Sequence, residues 1–337
     1  MILIKQIYSI RHFAIFFALA LSVILFTPNY SHANDVRILI VDDKLKSVPE
    51  LNDLRRIGNV NGKLLFRGTE YSGKLEVFKS SKGLFVVNEL PLEEYIKGVV
   101  KVEVAENWPL EALKAQAVAA RTYAIFNIEN TNNGIYHMTS STLSQLFKGI
   151  KSDPDIEEAV NSTRGEIMTY NGKAINALYH STSGGKTELP EEVFGRSYPY
   201  LRSVKAECTT SPLYVWERRI PKADLKKALG NERIDRVEIR SHTKTGRVKE
   251  LAVLEDDSNM TISAAELRKK LGWRRLPSTW FEVVNKDNTV IFSGKGYGHG
   301  VGMCQWSAME MANRGANYKE ILSTFYPGTT IELHENR

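Results

Sequence analysis

The chain has 337 residues, of which 42% are hydrophobic and 25% charged, with a formal net charge of +6 and two cysteines. Its length admits one large domain or two modest ones, two cysteines are too few for a disulfide-built fold, and no Lys/Arg-dense run points to nucleic acid. The mild basic excess fits an acidic polymer as a partner and fits an ordinary soluble protein equally well.

Lys5 and Arg11 lead into an apolar run from Phe13 to Phe26, followed by Pro28, Ser31 and Ala33. This order predicts a secretory signal peptide over residues 1–33, cleaved after Ala33, and so an exported protein on the periplasmic or cell-wall side of the cytoplasmic membrane. The apolar run is short for a permanent span, which leaves an uncleaved anchor as the alternative and the only membrane contact expected. Val36 to Val41 reads as a strand, and residues 63–88 alternate β-rich runs with turns at Tyr71-Ser-Gly-Lys and Ser81-Lys-Gly, giving a β-rich N-terminal region over 34–84. From Asn107 the pattern changes. Asn107 as cap, Pro109 in the first turn, and Leu110, Leu113, Ala117, Ala120 and Ala124 at helical spacing predict a long helix from Pro109 to Ile128.

Residues 174–204 are rich in Ser, Thr, Gly and Pro and read as a surface loop region around Ser181-Thr-Ser-Gly-Gly185. Ser263-Ala-Ala-Glu266 is a capping box for a short helix ending near Gly272. Strands at 281–284 and 290–292 precede a glycine-dense loop over 294–302, and two helices, 305–313 and 318–326, close the chain. Strands and helices without regular alternation predict an α+β fold, with mixed elements around a cleft.

Glu103 lies between Val102 and Val104. A carboxyl with apolar neighbours has its charged form disfavoured, so it can carry a proton near neutral pH and act as a general acid. Taken alone, a glutamate between valines is usually a strand residue with its head group in solvent. The glycine loop lacks the Gly-Lys-Ser/Thr ending and βαβ context of a phosphate cradle, so it either binds a ligand or lets two backbones cross closely. The histidines show no metal-ligand pairing, and no Gly-x-Ser-x-Gly elbow is present. Cys208 and Cys304 could form one bridge after export; spacing leaves that state and the free thiols both open.

Asn88-Glu-Leu-Pro-Leu-Glu-Glu-Tyr-Ile-Lys-Gly-Val-Val100, then Glu103, then Trp108-Pro-Leu-Glu-Ala-Leu-Lys-Ala-Gln-Ala-Val-Ala-Ala-Arg-Thr-Tyr123 resemble the sporulation-protein-D/LytB (SpoIID/LytB) family. The likeness continues through Gln145-Leu-Phe-Lys-Gly149, Tyr179-His-Ser-Thr-Ser-Gly-Gly185, Trp216, Gly296-Tyr-Gly-His-Gly-Val-Gly-Met-Cys-Gln305, Gly315 and Tyr326-Pro-Gly328. It covers 85–332, which the resemblance makes the peptidoglycan-acting domain.

Sporulation-type members are lytic transglycosylases of glycan strands already stripped of stem peptides, and LytB-type members are described as amidase enhancers. The resemblance therefore implies peptidoglycan glycan as substrate and a cell-wall amidase as a further partner. It puts the catalytic glutamate on Glu103 and substrate contacts on Arg121, Gln145, His180, Ser181, Ser183, Tyr297, His299 and Gln305. The alternative it leaves is a non-catalytic wall-binding protein or enhancer of an N-acetylmuramoyl-L-alanine amidase. Lys101-Val-Glu-Val-Ala departs from the family's usual neighbours of that glutamate. Met138-Thr-Ser-Ser-Thr-Leu-Ser144 carries neither the Cys nor the His with which some members hold zinc, so no metal or other cofactor is expected. Glu106, near in sequence, has no catalytic counterpart in the family.

Overall fold

The computed structural model describes residues 35–41, 49–105, 107–132, 134–142, 144–150, 153–230, 233–254 and 259–334. The expected signal peptide and Glu106 lie outside them. The architecture is mixed α+β, with several small sheets and helices between them.

The first sheet is built from β1 (Asp35–Ile40), β2 (Arg55–Phe66), β3 (Thr69–Ser80) and β4 (Gly83–Pro91) in the order β2-β3-β4-β1, with Met138–Thr139 added in parallel to β1. β2 and β3 pair along their whole lengths. The turn expected at Tyr71–Lys74 is absent, because the chain continues through it as β3 and reverses instead at Arg67 and Gly68, where both φ angles are positive (52° and 78°). Such two-residue reversals match the right-handed twist of paired strands.

The segment carrying Glu103 is helical, not extended. In α1 (Leu92–Glu103) the buried residues Leu92, Tyr95, Ile96, Val99 and Val100 recur three and four apart, a helical stripe that overrides the strand preference of its valines. The next helix, α2 (Leu110–Asn130), starts one residue later than expected; Pro109 occupies the cap position and Asn107 adopts a positive φ of 59°.

α2 is buried on nearly all sides. Ala112, Leu113, Ala117, Ala120, Ala124 and Ile125 join the core shared with the sheet, α1 and α3 (Pro154–Ser162). Ala115, Val118 and Ala119 join a second core with Val301, Met303, Ala308, Leu322 and Phe325 from the end of the chain. Small side chains allow both layers to approach the same helix, and dense packing on both faces fixes it. A third core joins the strands Val215–Pro221, Thr289–Lys295 and Phe281–Asn285 to a second three-stranded sheet and the helices Lys222–Leu229 and Ala264–Leu271. Ser263 caps the last of these by accepting from the Glu266 N–H at 3.1 Å, one half of the capping box that the sequence predicts.

Residues 174–204 are a surface loop region only in part: 191–199 are largely exposed, whereas the stretch before them enters the core. Thr182, Ser183, Thr187 and Glu188 are all buried, next to the short strands at Tyr179–His180 and Gly185–Lys186. Their polar groups are satisfied internally, as in the Ser203 hydroxyl donating to the Thr187 carbonyl at 2.6 Å. That bonding permits a Ser/Thr-rich segment to be core. The glycine loop runs against it: a Cβ on Gly302 would fall 1.9 Å from the Leu178 carbonyl oxygen, so here two backbones do cross closely. Among the described residues no helix is long and apolar enough to cross a membrane.

Where α1 meets the 145–149 segment, a Cβ on Gly98 would sit 2.5 Å from Phe147 Cε2 and 2.7 Å from the Gly149 carbonyl oxygen. Gly98→Ala is therefore expected to cost about 1–3 kcal/mol through overpacking. Gly58, on β2, has nothing within 4 Å of the same position, and Gly58→Ala should stay within about 0.5 kcal/mol of the parent. Urea denaturation of both variants checks the pair, and equal stabilities would contradict the close contact.

Candidate active site

Glu103 is the last residue of α1, where the helix dipole disfavours a negative charge. Its side chain keeps a partly exposed edge, while protein atoms crowd the carboxyl itself. Burial pushes its pKa from 4.5 up to about 7, against the opposing pull of the Leu146 backbone N–H and the Gln305 side chain. The Leu146 N–H donates to Oε1 at 2.9 Å. Among the described residues no charged group contributes to the shift. The carboxyl is thus held between desolvation, which favours the acid, and two hydrogen bonds, which favour the anion.

The surrounding groups are neutral and polar. Gln145 is buried, its Oε1 accepting from the Tyr95 hydroxyl at 3.0 Å and its Nε2 donating to the Ala120 carbonyl at 3.1 Å. Those bonds tie the extended segment that offers Leu146 N–H to both α1 and α2. Gln305 opens the helix Gln305–Asn313 and donates to Gln116 Oε1 at 3.3 Å, so the amide that reaches Glu103 is itself held from α2. Burial raises the phenol pKa values of Tyr95 and Tyr179 well above 10, with the Glu103 charge adding to both. The Tyr179 hydroxyl lies close to Gln145, yet it is closed off from solvent without a hydrogen bond of good geometry.

Tyr179 also places the histidines. Its strand Tyr179–His180 pairs in parallel with Met303–Cys304, and the Tyr179 carbonyl interacts with the His299 ring. The His180 and His299 rings lie 5.5 Å apart between centroids. Burial drives both imidazoles down, His299 to about 4 with Arg268 adding to the effect, so both are neutral at pH 7. His180 Nδ1 bonds the Val301 carbonyl at 3.1 Å, leaving Nε2 buried without a partner among the described residues. Ser181 is partly exposed beside them. Tyr297 exchanges backbone hydrogen bonds with Thr182 at 2.7 and 3.0 Å, which holds the glycine loop on the same wall.

Two expectations change. Arg121 has no exposed surface: its guanidinium grips Glu93 at 2.8 and 2.9 Å and donates to the Glu166 and Val160 carbonyls. With the side chain buried and these donors engaged it ties α2 to α1 and α3 rather than touching a substrate, a correction whose cause is the cost of burying an unpaired charge. Ser183 is likewise buried, its hydroxyl engaged by the Gly185 N–H and the Ala206 carbonyl, so it knits its own turn. Sequence reasoning passed over Tyr95, Gln116 and Tyr179. Gln116 carried a readable signal, a lone amide within the alanines of a helix buried on both faces. Among the described residues no three His, Cys, Asp or Glu side chains gather as a metal site.

A folded Glu103 keeps its proton to about pH 7, whereas the ordinary carboxyl releases it near 4.5. Between those values the native state binds more protons, so the stability tied to protonated Glu103 is complete below pH 4.5 and is lost as pH rises through 7. Glu103→Gln cannot lose that proton. Relative to the parent, the variant should gain on the order of 3 kcal/mol between pH 4.5 and 8, read from urea denaturation at both pH values. A difference that does not vary with pH would contradict the buried carboxyl.

Residues 80–170, which carry Glu103 and Gln145, match the family model described as stage II sporulation protein, and residues 196–302 match a domain of unknown function (DUF8618). An uncharacterised protein of Brachyspira hyodysenteriae is 38% identical over 78% of this chain and 73% of its own length. The stage II sporulation protein D of Bacillus subtilis is 33% identical over 73% of this chain and 75% of its own. The amidase enhancer of the same organism is 31% identical over 70% of this chain and 40% of its own. Likeness of this extent makes the chain a member of the sporulation-protein-D/LytB family.

Proposed function

We propose that the chain is an exported peptidoglycan lytic transglycosylase that cleaves MurNAc–GlcNAc bonds of denuded glycan strands with Glu103 as its one acid–base group. The observation that carries this reading is the desolvated carboxyl of Glu103, raised to about 7 and fixed by the Leu146 N–H. Hydrolytic glycosidases use two carboxyls, the second to activate water or attack the sugar. A transglycosylase can work with one. Glu103 gives its proton to the glycosidic oxygen as the C1–O bond breaks; the muramic C6 hydroxyl then attacks C1, and its proton returns to the carboxylate. The product is a 1,6-anhydroMurNAc end, no water is consumed, and the acid is regenerated.

Positive charge develops on the sugar ring in this step, and neutral His180 and His299 oppose it less than protonated rings would. His180, Ser181, Tyr297 and His299 are the glycan contacts of this reading, and the Tyr179 hydroxyl, closed off from solvent beside Gln145, backs them from within. Gln145 and Gln305 act by positioning the carboxyl. The mild basic excess suits a wall polymer whose residual stem peptides carry carboxylates. Export by the N-terminal segment would bring the chain to that polymer.

The relatives named stage II sporulation protein D and amidase enhancer support a role at the cell wall. The second of these favours an alternative in which the chain binds glycan and stimulates a cell-wall amidase without cutting. The product separates the two. Denuded glycan incubated with the purified protein should yield anhydromuramic ends by mass spectrometry, with a rate that falls as pH rises through about 7 because the acid must be protonated. Glu103→Gln should lower that rate at least ~10²- to 10⁴-fold, with glycan binding little changed. Glu94→Gln, on the same helix but paired to Lys97 at 2.7 Å, should keep most of it. Release of anhydromuramic ends by Glu103→Gln at the parent rate would overturn the mechanism. Their absence from both proteins would leave the enhancer reading in its place.

A further inference from the structure

Behind the glycine loop lie two thiols that the catalytic reading does not use. Cys208 and Cys304 are free and fully buried. Ser183 stands against both: its N–H donates to Cys304 Sγ at 3.2 Å and its hydroxyl lies 3.4 Å from Cys208 Sγ. Cys304 also faces the Ser181 carbonyl at 3.7 Å. The strands on either side converge on this point, since Lys205–Ala206 pairs with Gly185–Lys186 and Met303–Cys304 pairs with Tyr179–His180. Two cysteines far apart in sequence are thereby brought onto one serine.

We propose that Cys208 and Cys304 form a dithiol that oxidises to a disulfide and locks the end of the glycine loop onto the segment after Ala206. The position matters for the site because Cys304 immediately precedes Gln305, the amide that reaches Glu103. The surroundings favour the reaction. In the docked site, contact with Cys304, the Ser183 hydroxyl and the Gly184 and Gly185 N–H groups hold the Cys208 thiol down to about 6; when the Cys304 strand opens, the Ser183 hydroxyl and the two N–H groups, which lie outside that strand, still favour the thiolate, the attacking form. Arg247, buried and bonded to the Ser183 and Lys186 carbonyls, adds a fixed positive charge nearby. That cation, and the lack of a third ligand among the described residues, argue against a metal held by the two sulfurs.

The oxidant is a low-molecular-weight or protein disulfide. Cys208 thiolate attacks one of its sulfurs and releases the other as a thiol; Cys304 then gives up its proton and displaces the second thiol. Two thiols of the chain become one disulfide, and two electrons and two protons leave with the reduced oxidant. With both sulfurs enclosed, exchange takes place while the strand Met303–Cys304 is undocked, during folding or local opening.

The two thiols stand where they do whether or not the chain cleaves glycan. The purified full chain is incubated with glutathione disulfide, denatured in acid, and treated with a maleimide before intact mass measurement. The expected result is no maleimide and no glutathione on the non-reduced chain, and two maleimides after reduction. The thermal midpoint should fall by roughly 5 °C on reduction. Cys208→Ser should show no such dependence, and Cys208→Ala serves where the serine variant fails to fold. Two maleimides, or two glutathione adducts, on the non-reduced parent would overturn the proposal. So would a thermal midpoint that ignores reductant.

Discussion

Everything near Glu103 depends on a helix that must be packed from both sides. α2 can serve two cores because it is lined largely by alanines, and the one charged group it buries among the described residues, Arg121, is neutralised by the two-pronged contact with Glu93. That ion pair joins α2 to the start of α1, and the Val160 and Glu166 carbonyls bring in α3 and the strand after it. Breaking such a pair leaves an uncompensated interior charge, typically a loss of about 3–5 kcal/mol. With the start of α1 clamped, Glu103 at its other end has one place to be. The same helix reaches the site directly, through the Ala120 carbonyl on Gln145 and the Gln116 amide on Gln305.

The chemistry follows from what this scaffold withholds. A carboxyl in water is an anion at pH 7 and a poor acid; one removed from water with no cation beside it keeps its proton. Around Glu103 the fold supplies phenols, amides and a backbone N–H, none of them charged at neutral pH. The N–H and the Gln305 amide moderate the shift and keep the conjugate base accommodated when the proton leaves. An acid that must give up a proton and take one back within a single turnover needs both forms to be tolerable, which a fully apolar pocket would not allow.

Much of the scaffold was readable in the chain. The alanine-rich spacing of α2, the Ser263 cap and the two closing helices follow from local rules that tertiary packing did not override. The misreadings have physical causes. Val-rich α1 suggested a strand because β-branched residues favour one, and only its three-and-four spacing of buried positions gives the helix away. Residues 174–204 looked like a surface loop because Ser and Thr are usually wet, whereas here hydrogen bonds within the segment and to the glycine loop satisfy them in the core. At the site, the motifs brought Glu103, Gln145, His180 and Gln305 to notice, but a motif cannot distinguish a residue that meets a ligand from one that holds up its neighbour. Arg121 and Ser183 are of the second kind, and their roles became legible only with their partners in view.

The central claim is that Glu103 carries its proton at neutral pH because the fold desolvates it. Its most direct test is a titration of that one carboxyl, following the side-chain carboxyl carbon by ¹³C NMR in protein labelled at glutamate, with Glu103→Gln to assign the signal. The account predicts a midpoint of about 7. A midpoint near the ordinary 4.5 would mean that Glu103 is an anion at working pH, and would contradict it.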